Sequence, residues 1–180
     1  STIAKVITSL QQQKYKIIAE RAIRSNGYRI YTTINKEMYD SMNAAAAAYE
    51  NYGPYYIRIN RGFDRVLYEN QDYGFEVGKA VEVHEGTDIT VIACGSCVFQ
   101  AREAAEFLKN ADGLSVRVLN MHTISPIDVE AIQKAISDTR RIITVEDHLV
   151  TGGLGSAVAE VMAQYGKGCA FKMLGHKSFA

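Results

Sequence analysis

The segment Asp88-Ile89-Thr90-Val91-Ile92-Ala93 constrains the fold more than any other stretch of the chain. Its apolar residues run consecutively rather than alternating, the pattern of a strand covered on both faces, and such strands belong to parallel sheets held between helices. Parallel neighbours need crossover connections, and the sequence downstream supplies them. Val98 to Leu108 is amphipathic, with Ala101, Ala104, Ala105 and Leu108 on one face, and Leu114 to Leu119 reads as the next strand. Ser125-Pro126-Ile127-Asp128 is a helix start with Asp128 as its cap, and the helix to Ile136 buries Val129, Ile132 and Ile136. Arg141 to Val145 is a further strand, Gly155 to Tyr165 a helix and Cys169 to Leu174 a closing strand. Upstream, Tyr55 to Asn60 has the β-branched and aromatic content of a strand, and Gly78 to His84 reads as a short edge strand before the turn Glu85-Gly86-Thr87. The expected class is α/β: a three-layer αβα sandwich with a mostly parallel sheet.

Residues 1–53 follow a different rhythm and predict an N-terminal helix-strand-helix extension to a domain at 54–180. From Ile3 to Ile23 apolar residues recur at helical spacing, Asn26-Gly27 stops the helix, and Tyr28 to Ile34 alternates as a strand does. Asn35 can cap a second helix, Lys36 to about Tyr49, centred on Ala44 to Ala48. The boundary falls at Gly53-Pro54.

Composition excludes several classes. Lys+Arg 20 balances Asp+Glu 20, so bulk charge points to neither nucleic acid nor a lipid surface. The longest apolar run, Ala44 to Ala48, is far too short to span a membrane, and no signal peptide opens the sequence, which leaves the cytoplasm as the expected compartment. Three cysteines, Cys94, Cys97 and Cys169, are an odd set for a disulfide framework. Cys94-Gly95-Ser96-Cys97 is a CxxC between a strand and a helix, where a thiol pKa can be lowered. No Trp flanks it and no second cysteine pair completes a zinc site, so small buried thiols are the favoured reading.

Three further features carry potential chemistry. Gly152-Gly153-Leu154-Gly155-Ser156 opens a helix and can hold an anion on backbone amides, but it is neither a GxGxxG nor a Walker loop, and tight packing is the favoured reading. Glu146-Asp147-His148 ends a strand where open α/β sheets bind ligands, and a carboxylate beside an imidazole can move protons; solvated loop polars are the plainer reading. His84, His122 and His176 are singletons without metal-ligand spacing. Arg58 and Arg61 bracket the strand at 55–60, where an Arg fork at residue 61 can bind a phosphate; a salt bridge or solvated charge is its plainer role.

From about Gly53 onward the chain resembles the C-terminal domain of transketolase, especially the split form in which a C-terminal subunit is a separate polypeptide. The resemblance is carried by Gly53-Pro54-Tyr55-Tyr56-Ile57-Arg58-Ile59-Asn60-Arg61, by Glu85 through Gly95, by Ser125-Pro126-Ile127-Asp128, and by Thr144-Val145-Glu146-Asp147-His148 with Gly152 through Glu160. Deoxyxylulose phosphate synthases and pyruvate dehydrogenase β subunits share this domain. The resemblance implies two-carbon ketol transfer between sugar phosphates in a complete enzyme, with thiamine diphosphate and a divalent metal held between a pyrophosphate-binding and a pyrimidine-binding domain. Neither domain is legible here, so the chain alone is expected to bind no cofactor and to turn nothing over. An N-terminal transketolase subunit or domains are the expected partner, together with homo-oligomerisation. Arg61 matches the arginine that contacts substrate phosphate in transketolases and is the one substrate-binding residue the resemblance transfers.

Residues 1–53 do not share that likeness. Ala19 through Asn35, continuing past Met42 and the Ala-rich helix to Tyr52-Gly53, is similar to the linker that follows the glycosyltransferase domain in class A penicillin-binding proteins. That segment holds no catalytic residue, and no Ser-x-x-Lys occurs in the chain, so acylation by penicillin is not expected. Two families abutting near residues 44–54 favour an engineered chimera over a natural fusion. The alternative function is accordingly a non-catalytic structural or interaction module; a redox enzyme using Cys94 and Cys97 is a third.

Overall fold

A computed structural model of the chain describes residues 39–51, 53–58, 67–68 and 73–178. The backbone divides into two compact units, Ser1–Gly62 and Phe63–Ala180. The expected helix at 3–23 and strand at 28–34 lie outside the described residues, as does Arg61.

In the first unit, helix α1 (Tyr39–Glu50) occupies the alanine-rich segment. Alanine loses no side-chain entropy on entering a helix, which favours the helix over this run. Asn51 closes its end: both the backbone N–H and the side-chain Nδ2 donate to the Ala47 carbonyl, at 3.1 and 2.8 Å. The strand expected at Tyr55–Asn60 is not formed over its described part, Tyr55–Arg58. A strand exists only by pairing, and no described strand runs alongside this one, so β-rich composition alone does not produce it. Tyr56 is 91% exposed there.

The second unit is built on one five-stranded sheet in the order β1-β3-β2-β4-β5. Its strands are β1 (Val81–His84), β2 (Ile89–Ala93), β3 (Val116–Asn120), β4 (Arg141–Leu149) and β5 (Ala170–His176). Three of the four pairings are parallel, β2 with β3, β2 with β4 and β4 with the edge strand β5, while the other edge strand, β1, is antiparallel to β3. Between them run α2 (Cys97–Asp112), α3 (Val129–Asp138) and α4 (Leu154–Tyr165). The three-layer α/β expectation is met.

Each face of the sheet has its own core. Ile92, Leu119 and Ile142 pack with Met121 and with Ile132, Ile136, Leu154 and Val158 from α3 and α4. On the opposite face, Val91, Ala93, Val116 and Val118 pack with Val98, Ala101 and Ala105 from α2. Alternate residues of one apolar strand thus feed two cores, which is why Asp88–Ala93 shows no polar alternation. Full burial of each large aliphatic chain contributes about 1.5–3 kcal/mol. Among the polar groups buried with them, Thr90 and Thr139 share a hydroxyl hydrogen bond of 3.0 Å, and Thr139 donates to the Ala135 carbonyl. Asp128 is the cap of α3 that the sequence indicates. Its Oδ1 accepts from the Ala131 N–H at 3.0 Å, and its Oδ2 accepts from the Ala80 N–H at 2.8 Å, tying the approach to β1 onto the helix start.

Candidate switch-point site

The order of the strands decides where a site can lie. From β2 the chain crosses to β3 on one side through α2, then returns past β2 to β4 through α3 and continues to β5 through α4. The connections leaving β2 and β4 therefore part toward opposite faces, and the gap between their C-terminal ends is the switch point where open α/β sheets take ligands. A crevice of about 460 Å³ lies there. One wall is the start of α2, with Ser96, Cys97 and Gln100; the other is the ends of β4 and β5, with Glu146, Asp147, Leu174 and His176.

The glycine-rich turn beside it is closed by the protein itself. Glu146 is only 3% exposed, and its carboxylate accepts from the Leu154 N–H through Oε2 and from the Gly155 N–H through Oε1, both at 2.8 Å. These are first-turn amides of α4, which need an acceptor and favour an anion. Gly153 is the N-cap and offers no side chain, and the first turn holds no acidic residue. The strand before the helix supplies the charge instead. A Cβ at Gly153 would fall on the Glu146 carboxylate and the Leu149 carbonyl, and one at Gly155 would lie 2.6 Å from Met173 Sδ and 3.0 Å from Thr144 Oγ1. The glycines serve close packing around an internal carboxylate, so the packing reading of Gly152–Ser156 stands against the phosphate reading. Ser156 completes the turn, donating to the Val150 carbonyl and accepting from the Gly152 N–H, each at 2.9 Å.

Asp147 and His148 do not form the carboxylate–imidazole pair that their adjacency offers. Strand β4 runs on to Leu149 instead of ending at Val145, because pairing resumes at Leu149 opposite His176 after a register shift. Asp147 Oδ1 then meets Nε2 of His176 at 3.2 Å, while exposed His148 turns Nδ1 to the Leu149 carbonyl at 3.3 Å. His176 is thus part of the site, and the sequence held no signal for it, since its partner lies 29 residues upstream on another strand. Glu146 left a faint signal: a helix that opens on glycine, with no acidic residue in its first turn, needs an acceptor from elsewhere.

Cys94 and Cys97 separate. Cys94 packs against the core beneath α3 and α4, and Cys97 lies in the core beneath α2. None of the three cysteines is in a disulfide, and burial pushes the Cys169 thiol up from its ordinary pKa. His84 Nδ1 lies 2.7 Å from the Val116 carbonyl, and the His122 ring stacks on Phe75 with centroids 4.3 Å apart. Arg58 is exposed. Among the described residues, no three His, Cys, Asp or Glu side chains come together as a metal centre. With its first amides taken by Glu146, the start of α4 is not available to a diphosphate. No described helix is long and apolar enough to cross a membrane.

Comparison with known proteins places this unit in context. Residues 78–177 match the family model described as the C-terminal domain of transketolase. The chain is 46% identical over 111 residues to a subunit of the apulose-4-phosphate transketolase of Phocaeicola vulgatus, covering 62% of this chain and 35% of that protein. It is 41% identical over 131 residues to a putative transketolase C-terminal section of Methanocaldococcus jannaschii, covering 72% of this chain and 40% of that one. It therefore spans little more than a third of the length of these relatives. A solved structure described as a split gene transketolase, inactive beta4 tetramer, is similar with a TM-score of 0.72 and 35% identity, over 77% of this chain and 45% of that chain.

Proposed function

Because the chain belongs to the transketolase C-terminal domain family, we propose that it is the C-terminal part of a transketolase-type enzyme, supporting two-carbon ketol transfer between sugar phosphates without catalysing it alone. The observation that carries this reading is the extent of the family match, residues 78–177, across the whole described sheet with its three covering helices. In the complete enzyme, thiamine diphosphate and a divalent metal supply the carbanion chemistry from domains outside this unit. The role left to the unit is packing: it presents a rigid αβα body to its partner. Relatives are named as one subunit of a transketolase, and the similar solved structure as a tetramer of β chains, which supports an N-terminal subunit or domain as partner together with self-association. In the same reading, Arg61 binds the substrate phosphate and the protein works in the cytoplasm.

The test is reconstitution. The purified chain is mixed with a transketolase from which the C-terminal domain has been deleted, and ketol transfer to a sugar phosphate acceptor is followed. Recovery of activity on mixing, with none from the chain alone, is the expected outcome; turnover by the chain alone, or none after mixing, overturns it. In an active mixture, Arg61→Ala should raise KM for the phosphorylated acceptor far more than it changes kcat.

A second reading starts from residues 1–77, which lie outside the family-model match. Residues 1–53 are then a penicillin-binding-protein-like linker segment joined to a foreign domain, and the whole is a chimeric, non-catalytic module. Limited proteolysis separates the readings: a rapid cut between Ala44 and Pro54 that leaves a resistant core supports a join of two pieces, and resistance across it opposes one.

A further inference from the structure

We infer that the half of the sheet left bare on the α2 side is a self-docking surface, where helix α2 of a second copy of this chain takes the empty place in the helix layer. The same contact is made in return. The inference rests on the self-association in the proposed function and names the surface that carries it. The two faces of the sheet are covered unequally. Helices α3 and α4 lie on one face, while within this unit α2 is the only described helix on the other. Register assigns the side chains of the bare half. Ile143 pairs with Lys172 and Val145 with Leu174 on adjacent parallel strands, so all four project to the α2 face. Ile143 and Val145 are half-buried, Lys172 is exposed and Leu174 is 44% exposed. Helix α2 adds a large apolar residue of its own, Phe107, left 68% exposed.

A second copy fits because this face carries both halves of the contact. A two-fold axis running along the strands beside α2 brings the α2 of the second copy over β4 and β5, and makes every contact twice. Such an axis keeps each residue at its own height. As a crossover between parallel strands, α2 runs back against them from the crevice, whose walls include both Cys97 and His176. Glu106 lies nine residues beyond Cys97, about 13 Å along the helix, and Lys172 lies four residues before His176, about 13 Å along the strand. The carboxylate of one copy thus meets the ammonium of the other at matching height. Both groups are exposed, and among the described residues neither forms an ion pair within the chain. Successive residues of α2 turn by about 100°, which sets Glu106 and Phe107 on either side of the line facing away from its own sheet. Laid on the second copy's sheet, Glu106 leans toward the outer strand β5 and Lys172. Phe107 leans the other way, into the angle between α2 and β4 where Ile143 and Val145 are half-buried. An apolar centre with a complementary charged rim is the anatomy of a protein interface.

The experiment is sedimentation equilibrium of the full chain over a range of concentrations, with Glu106→Lys and Lys172→Glu as variants. Wild type should show a monomer–dimer equilibrium. Each reversal sets like charges against each other at two symmetric places, so each variant alone should dissociate about a hundredfold more readily. Both positions are exposed, so the variants should keep the fold, which circular dichroism checks. Mixed in equal amounts, the two variants present opposite charges at both places and should dimerise as tightly as wild type. Phe107→Ser should weaken the dimer about tenfold, and mixing with either variant should not recover it. Three results overturn the inference: a chain that stays monomeric throughout; a dimer indifferent to both reversals; or two variants that stay apart when mixed. The second leaves self-association standing and removes only this surface. None of the three decides whether a partner restores ketol transfer, so this inference and the proposed function fail separately.

Discussion

The helices that follow β2 and β4 start in opposite ways. Helix α4 opens on Gly153, which has no side chain, yet its first amides are held at 2.8 Å by both oxygens of Glu146. Helix α2 opens on Ser96, a residue suited to capping, and that side chain makes no capping hydrogen bond. The glycine-rich turn, whose amides could hold an anion, is closed by the chain itself. The turn that looks like a redox motif or a plain connection borders the crevice. The lesson is electrostatic: a helix start attracts negative charge from wherever the fold can deliver it, and a buried carboxylate from the preceding strand competes with any ligand. An anion site requires the absence of such a residue as much as the presence of glycines.

The comparison predicts its largest effect at Glu146. Glu146→Ala removes two charge-assisted hydrogen bonds and leaves two buried N–H groups without acceptors, which should lower unfolding stability by about 3–5 kcal/mol. Urea denaturation measures this, and a loss below about 1 kcal/mol would show that the α4 start does not depend on the carboxylate. Formate should restore part of the loss in this variant and none in the wild type.

A smaller effect belongs to the third helix start. Asp128→Ala removes the α3 cap and the acceptor of the Ala80 N–H, and should cost about 2 kcal/mol. Lower again is Gly155→Ala, at about 1–2 kcal/mol, because the new Cβ presses on the thioether of Met173, a chain that can move. The double variant with Met173→Ala should cost less than the sum of the two single changes, since the crowding is relieved. Strict additivity would mean that Gly155 is there for another reason.

These three residues also show what the sequence can and cannot tell. Asp128 was legible because a cap and its amide lie three residues apart, so the signal is local. The strands were legible for a similar reason, since burial on two faces writes itself into consecutive residues. Glu146 reaches amides eight and nine residues ahead across a turn, and whether it points inward depends on where β4 ends. Pairing with β5 settled that, carrying the strand past Val145 to Leu149 and bringing His176 to Asp147. Tyr55–Arg58 fails in the converse way: strand-like residues with no described ladder beside them remain irregular.

The α2 start can be tested through its thiols, with no change in stability expected. Cys94 and Cys97 pack in cores on opposite faces of the sheet, so a mild oxidant should leave them unlinked in the folded chain. Mass spectrometry after diamide treatment and alkylation would reveal a bridge; finding one would return the redox reading to this turn. Cys169 should alkylate more slowly than a free thiol near neutral pH, since burial raises its pKa, and should catch up as pH rises.

The smallest expected effect concerns a carboxylate in the opposite setting from Glu146. Asp138 is exposed in the last turn of α3, where a negative charge opposes the helix dipole. Hydrogen bonds from Lys134 and Arg117, at 3.1 and 3.0 Å, nevertheless hold its pKa below the ordinary carboxylate value. A carboxyl whose folded pKa is depressed stabilises the fold above its unfolded pKa and loses that contribution as pH falls through the folded one. Wild type should therefore lose stability relative to Asp138→Asn only on acidification below the ordinary carboxylate range, and salt should shrink the difference. A difference that persists unchanged in acid would assign the effect of the substitution to packing rather than charge. Buried Glu146 should show the contrast, since 1 M salt screens surface pairs and leaves a desolvated carboxylate with two amide donors almost untouched.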